Sequence, residues 1–124
     1  MQYNKKTHIA LVGVSDNQEK YGFKIFRDLL ANGYNVTGVN PKGGTLLGKK
    51  IYTSLAKIPA QVELALLVVP PVVGIHVIQQ AKQRGITEVW LQPGAQSEEI
   101  IEFAQKNDMH STQNRCFMVA QNLW

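Results

Sequence analysis

Residues 8–13 read His8-Ile9-Ala10-Leu11-Val12-Gly13, a short and mostly apolar run that stops on a glycine. Consecutive apolar positions, rather than alternate ones, read as a strand buried on both faces, the kind that parallel sheets contain. From about Gly22 to Ala31, Phe23, Phe26, Leu29 and Leu30 recur at helical spacing, and Asn32-Gly33 supplies the stop. Tyr34 to Val39 forms a second strand, closed by Asn40-Pro41. Residues 42–60 read as irregular, with glycines at 43, 44 and 48 and a short helical turn around Ser54 to Lys57. Val62 to Val69 is the most strongly apolar strand and is halted by Pro70-Pro71. A helix can begin at the second proline, because the N–H it lacks would have no partner there. Val73, Val77, Ile78 and Ala81 give that helix an inward face, and Gly85 ends it.

Glu88 to Leu91 is a fourth strand. Ser97 reads as an N-cap, with Glu98 and Glu99 in the first turn of a helix running to about Asn107. A fifth strand is expected before Cys116, although Met109-His110-Ser111-Thr112-Gln113 is unusually polar for one. Strands alternating with helices imply right-handed crossovers and a parallel sheet. The expected fold is α/β: one doubly wound, mainly parallel five-stranded sheet with helices on both faces, a single domain over residues 1–124.

A chain of 124 residues can bury a core without disulfides or metals. Its 44% hydrophobic and 18% charged residues are the composition of a globular chain. The 13 lysines and arginines exceed nine acids by a dispersed +4, with Lys5-Lys6 and Lys49-Lys50 the only doublets. Nucleic-acid binding would require a basic stripe with interleaved aromatics, so no nucleic-acid partner is expected; a small anionic ligand fits the balance better. The single cysteine, Cys116, excludes an internal disulfide framework. No apolar run approaches the roughly 18 residues of a membrane span, and Met1 to Lys6 lacks the apolar stretch of a signal peptide. The expected location is the cytoplasm.

Ligands of open α/β sheets bind outside the carboxyl ends of the strands, where the strand order reverses. The loops at 13–22, 40–45, 70–72 and 92–97 are therefore the candidates. Gly13 lets the backbone approach a phosphate, and the helix after it offers free N–H groups. A dinucleotide fingerprint would be G-x-G-x-x-G, but positions 13, 15 and 18 are Gly, Ser and Gln. Ser15 can add a hydroxyl and Asn17 an amide, with Lys20 and Lys24 near enough to add charge. The bland alternative is that Gly13 only makes a tight turn. After the second strand, Asn40-Pro41-Lys42 carries no carboxylate, whereas an NAD site wants one for the ribose hydroxyls. Lysine suits a phosphate monoester instead, such as the 3′-phosphate of coenzyme A or the 2′-phosphate of NADP; a solvated turn lysine is the alternative. Pro70-Pro71 is a rigid junction or a wall for an adenine ring.

Other candidates are weaker. His8, His76 and His110 have no metal-ligand spacing. His76 belongs on a helix flank, and Cys116, beside Arg115, reads as a lone buried cysteine rather than an activated thiol. Glu98-Glu99 is helix-start chemistry, and no nucleophile elbow, P-loop or Ser-His-Asp order is present. No catalytic residue is assigned.

Four segments in order carry a resemblance: Ile9 to Ser15, Val39-Asn40-Pro41-Lys42, Val89-Trp90-Leu91-Gln92-Pro93-Gly94, and Arg115-Cys116. Together they resemble the family of small CoA-binding-domain proteins, whose Rossmann-like fold is similar to the nucleotide-binding domain of the succinyl-CoA synthetase alpha subunit. Asn40 to Thr45 is similar to the basic, glycine-rich loop of that domain, and the match spans residues 7–120. The resemblance implies Gly13, Val14, Ser15 and Asp16 around the pyrophosphate, Asn40, Pro41 and Lys42 at the ribose phosphate, and Val69, Pro70 and Pro71 beside the adenine. It implies binding of CoA or an acyl-CoA without catalysis, since synthetase members need a second domain with a phosphorylated histidine, which this length does not hold. The polar segment 109–113 departs from the apolar strand of family members. An NADP-dependent oxidoreductase fragment, or a Rossmann-like interaction subunit that binds no nucleotide, are the competing readings. Exposed sheet edges permit a homodimer, and no residue demands one.

Overall fold

The computed structural model describes residues 3–124. Strands β1 (Ile9–Val12), β2 (Val36–Val39), β3 (Thr45–Leu46), β4 (Lys49–Tyr52), β5 (Leu64–Leu67), β6 (Glu88–Leu91) and β7 (His110–Thr112) form one sheet in the order β3-β4-β2-β1-β5-β6-β7. All pairings are parallel except β3 with β4. Among the parallel strands taken in chain order the arrangement is 3-2-1-4-5-6, the doubly wound Rossmann-type order with its reversal between β1 and β5.

Alternation within each strand divides the core. Ile9 and Leu11 of β1 and Leu64 and Leu66 of β5 pack against α1 (Tyr21–Ala31) and the short α4 (Phe117–Ala120). Ala10, Val12, Ala65 and Leu67 pack on the other face against α2 (Pro71–Gln83) and α3 (Glu98–Lys106). The Ser97 hydroxyl accepts the Ile100 N–H at 3.2 Å, as the sequence leads one to expect of an N-cap.

The sheet has seven strands rather than the expected five. β3 and β4 form within the stretch that reads as irregular, joined by a two-residue turn in which Leu47 (φ 51) and Gly48 (φ 76) both take positive φ. That backbone matches the twist of a hairpin, but leucine is an unusual residue for it. Lys49 and Lys50 are exposed and Ile51 is buried, so β4 carries little apolar pattern. The polar fifth parallel strand does form: β7 pairs with β6 at the sheet edge. There its side chains stay exposed or half-exposed, and Met109 before it and Phe117 after it reach the core instead.

Two expectations about burial fail. Val73 is 44% exposed and does not face the sheet. Gly74 does, and a Cβ there would lie 3.1 Å from Ile100 Cδ1. Cys116 is half-buried rather than enclosed. His8 is a satisfied core histidine, its ring nitrogens 2.6 Å from the Gln61 carbonyl and 2.7 Å from Thr37 Oγ1. No helix among the described residues is long and apolar enough to cross a membrane. Nor do they include a group of three metal-ligating side chains that could hold an ion.

Candidate functional site

The strand reversal opens a cleft of about 690 Å³ over the carboxyl ends of β1, β2 and β5, within the size range of cofactor pockets. Its floor depends on two glycines. Gly13 has φ +110, and a Cβ there would stand 2.3 Å from the Val68 carbonyl oxygen. A Cβ on Gly22 would stand 2.1 Å from the Gly13 carbonyl oxygen. The close approach of helix to strand, which a dinucleotide fingerprint obtains from its third glycine, comes here from Gly22 at the end of a longer loop.

Backbone hydrogen bonds separate the structural from the available donors. The N–H groups of Gly13 and Val14 donate to the Val39 carbonyl at 3.0 and 3.3 Å, tying β1 to β2. They line the cleft but have no donor left for a ligand. The N–H groups of Ser15, Asp16, Tyr21 and Gly22 have no protein acceptor among the described residues. α1 starts on Lys20 without a side-chain cap, and no acid occupies its first turn. Its positive end is therefore open to an anion.

The loop between is internally braced. Ser15 Oγ accepts the Asn17 N–H at 3.0 Å, and Asn17 Oδ1 accepts the Glu19 N–H at 3.0 Å. Asn17 thus staples the loop and does not line the cleft. The Asn40 amide Nδ2 donates to the Val14 carbonyl at 2.6 Å, while its Oδ1 accepts the Lys42 N–H at 2.7 Å. Asn40 consequently brackets the first two loops together, leaving Pro41 and Lys42 exposed on the rim. A further hollow of about 520 Å³ adjoins the cleft at Lys42 and Gly43, and Lys50 and Lys57 line it with no carboxylate.

Of the residues expected from sequence, the cleft brings together Gly13, Val14, Ser15, Asp16, Asn40, Pro41, Lys42 and Val69. Lys24 lies outside it, with its ammonium 5.7 Å from the Tyr21 ring centroid. Pro70 and Pro71 also lie outside: they are the N-cap and first residue of α2, a structural junction. The apolar wall is Val68, Val69 and Val73. Tyr21, Val73 and Leu46 escape sequence reading because an apolar residue near a helix start or in a turn passes for core. Glu19 and Lys20 also line the cleft.

A smaller cavity of about 270 Å³ lies beyond Tyr21 and Val68, which border both spaces. Gln92, Pro93, Cys116 and Trp124 complete it. Buried Gln92 accepts the Phe117 N–H at 2.6 Å and donates to Cys116 Sγ at 3.4 Å.

Comparison with known proteins agrees with this architecture. A conserved hypothetical protein of Pyrococcus furiosus superposes with a TM-score of 0.88 at 43% identity, covering 91% of this chain and 97% of that one. A hypothetical protein of Pyrococcus horikoshii OT3 gives 0.90 at 33% identity, covering 95% and 83%. The alpha subunit of an ADP-forming acetate–CoA ligase I of P. furiosus is 33% identical over 93 residues, which is 70% of this chain and 20% of that subunit. The matched stretch is between 11% and 26% of the length of the curated relatives. The model of the CoA binding domain family matches residues 7–122, and the chain belongs to that family.

Proposed function

We propose that the chain is a non-catalytic binding module for coenzyme A or an acyl-CoA, one domain over residues 1–124, with the cleft as its site. The observation that carries this reading is Lys42, which stands on the cleft rim directly after β2, where a dinucleotide site needs a carboxylate for the ribose diol. An ammonium is a point-charge partner for a phosphate monoester. Coenzyme A has one on its ribose, and Lys50 and Lys57 add positive charge in the adjoining hollow. In this reading the 3′-phosphate lies at Lys42. The pyrophosphate faces the free N–H groups of Ser15, Asp16 and the first turn of α1, an arrangement suited to anions. Asp16 contributes its backbone, its side chain being exposed to solvent. The adenine rests against Val69, with Pro70 and Pro71 fixing the junction behind it.

An NADP-dependent oxidoreductase would use Lys42 for a 2′-phosphate, but Ser15 and Gln18 stand where that fingerprint has glycines. A thermal-shift series with CoA, dephospho-CoA, NADPH and NADH separates the readings. A ligand at 100 times its Kd adds about 2.7 kcal/mol of stability. CoA is expected to give the largest shift. A shift with NADPH and none with CoA would make this an NADP binder, and no shift with any of the four would leave an interaction subunit.

A further inference from the structure

Between Asp28 and Glu63 the sequence has four lysines, Lys42, Lys49, Lys50 and Lys57, and no acid. The rest of the chain carries nine cations against nine acids, so the whole formal excess of +4 lies in this stretch. Resting on the CoA reading, we propose that the edge it forms, β3, β4 and the helical turn at Leu55–Lys57, is an encounter surface. There Lys49, Lys50 and Lys57 draw in the phosphate end of the ligand and orient it before it enters the cleft.

The sheet order places this edge at one end and β6 and β7 at the other. From Glu88 to Thr112, the stretch holding β6, α3 and β7, five acids stand against one cation, Lys106. Charge therefore runs from positive to negative along the sheet, with the cleft between. The cleft itself is balanced: Asp16 and Glu19 line it together with Lys20 and Lys42. Its own walls give a polyanion no net attraction, so the long-range pull comes from the edge beside it. Lys50 and Lys57 line the hollow that shares Lys42 and Gly43 with the cleft, which makes the two spaces continuous.

The four lysines are exposed, and among the described residues ion pairs form only at Arg27–Asp28 and His110–Glu88. Their charge is therefore not cancelled locally, and the one contact of this kind is Lys50 Nζ, 5.0 Å from the Tyr52 ring centroid. Lysine is a flexible, strongly hydrated point charge, better suited to attraction at a distance than to fixing a geometry. Coenzyme A suits such a field. Its roughly four negative charges all sit on the nucleotide end, and the pantetheine arm has none. The gradient along the sheet thus turns the phosphates towards β4 while the uncharged arm trails. Fields of this kind raise association rates by about 10–1,000-fold.

Stopped-flow anisotropy with etheno-CoA, whose fluorescent base leaves every phosphate in place, measures association and dissociation separately. Wild-type association should slow about tenfold or more between roughly 10 and 300 mM salt, as the Debye length shrinks, with dissociation changing far less. Lys49 lines neither the cleft nor the hollow, so Lys49→Glu changes the field without removing a wall. Lys106→Glu, in the last turn of α3, makes the same change in net charge on the acidic side. Both positions are exposed, and surface substitutions of this kind leave stability nearly unchanged. At low salt Lys49→Glu should slow association about threefold or more, with dissociation unchanged and Lys106→Glu close to wild type. Equal slowing by both variants makes net charge the cause and overturns the encounter surface. So does a Lys49→Glu effect confined to dissociation, which would make Lys49 a contact, or a wild-type association rate indifferent to salt. In each of these cases the ligand still binds and the CoA reading stands. Failure of both CoA and etheno-CoA to bind the wild type at equilibrium overturns that reading and the encounter surface with it.

Discussion

The side chain of Asn40 and the main chain of Val14 are joined by a 2.6 Å hydrogen bond across the mouth of the cleft. The same side chain accepts the Lys42 N–H at 2.7 Å. In the CoA reading, one residue therefore sets the distance between the turn whose amides face a diphosphate and the lysine that meets a monoester. Its amide oxygen and one of its two N–H groups are engaged within the protein, which in that reading gives Asn40 a positioning role.

Asn40→Ala should accordingly cost about 1–2 kcal/mol of stability, the range for losing a hydrogen bond and leaving a partly buried carbonyl without its donor. It should weaken CoA and dephospho-CoA by the same factor, because it displaces the loop that the CoA reading assigns to both ligands. Denaturant titration and calorimetry check the two halves. A loss confined to CoA would mean that Asn40 touches the 3′-phosphate.

Two glycines whose added Cβ meets different neighbours should respond differently to alanine. At Gly22 the obstacle is the Gly13 carbonyl, 2.1 Å from the Cβ position, and backbone cannot yield cheaply. Gly22→Ala should destabilise by about 1–3 kcal/mol, as overpacking does, and should disturb ligand binding with it. At Gly74 the nearest atom is Ile100 Cδ1 at 3.1 Å, the end of a flexible side chain. Gly74→Ala gains roughly 0.8–1 kcal/mol of helix propensity against that adjustment, so its net effect on the denaturation midpoint should be small.

These contrasts also separate what was legible in the sequence from what was not. β1, β6, the Ser97 cap and the Gly13 turn are written in local patterns: apolar runs, a capping serine, a glycine after a strand. β3 and β4 are not, because Leu47 adopts a conformation leucine rarely takes and Lys49-Lys50 offers no apolar alternation. For the cleft, residue type placed Ser15 and Lys42 where an anion could meet them. It misled at Asn17 and Lys24, whose roles depend on a loop staple at Glu19 and a ring at Tyr21. Gly22 was invisible as a site residue because its importance is a distance to Gly13, nine positions earlier in the chain. The small cavity joins a helix start, two strand ends and the C-terminal residue, a convergence that only folding produces.

The C-terminal wall of that cavity should be acid-sensitive. Trp124 Nε1 donates to Asp28 Oδ2 at 2.8 Å. The Arg27 side chain, and secondarily this indole, hold the Asp28 carboxyl below its ordinary range. A carboxylate with a lowered folded-state pKa adds stability above its unfolded pKa, near 3.9, and loses it as pH falls through the lower folded value. Trp124 fluorescence should stay constant through neutral pH and change only below about pH 4. Asp28→Asn should abolish that acid-range change. A Trp124 transition in the variant at the same pH would assign it to another group.

In the CoA reading, Lys42 recognises a phosphate monoester on the ribose. Calorimetric titration of the wild type and Lys42→Ala with CoA and with dephospho-CoA measures this directly. The wild type should prefer CoA, and Lys42→Ala should weaken CoA about tenfold, roughly 1.4 kcal/mol, with dephospho-CoA little affected. Equal losses for both ligands, or a wild type indifferent to the 3′-phosphate, would contradict it.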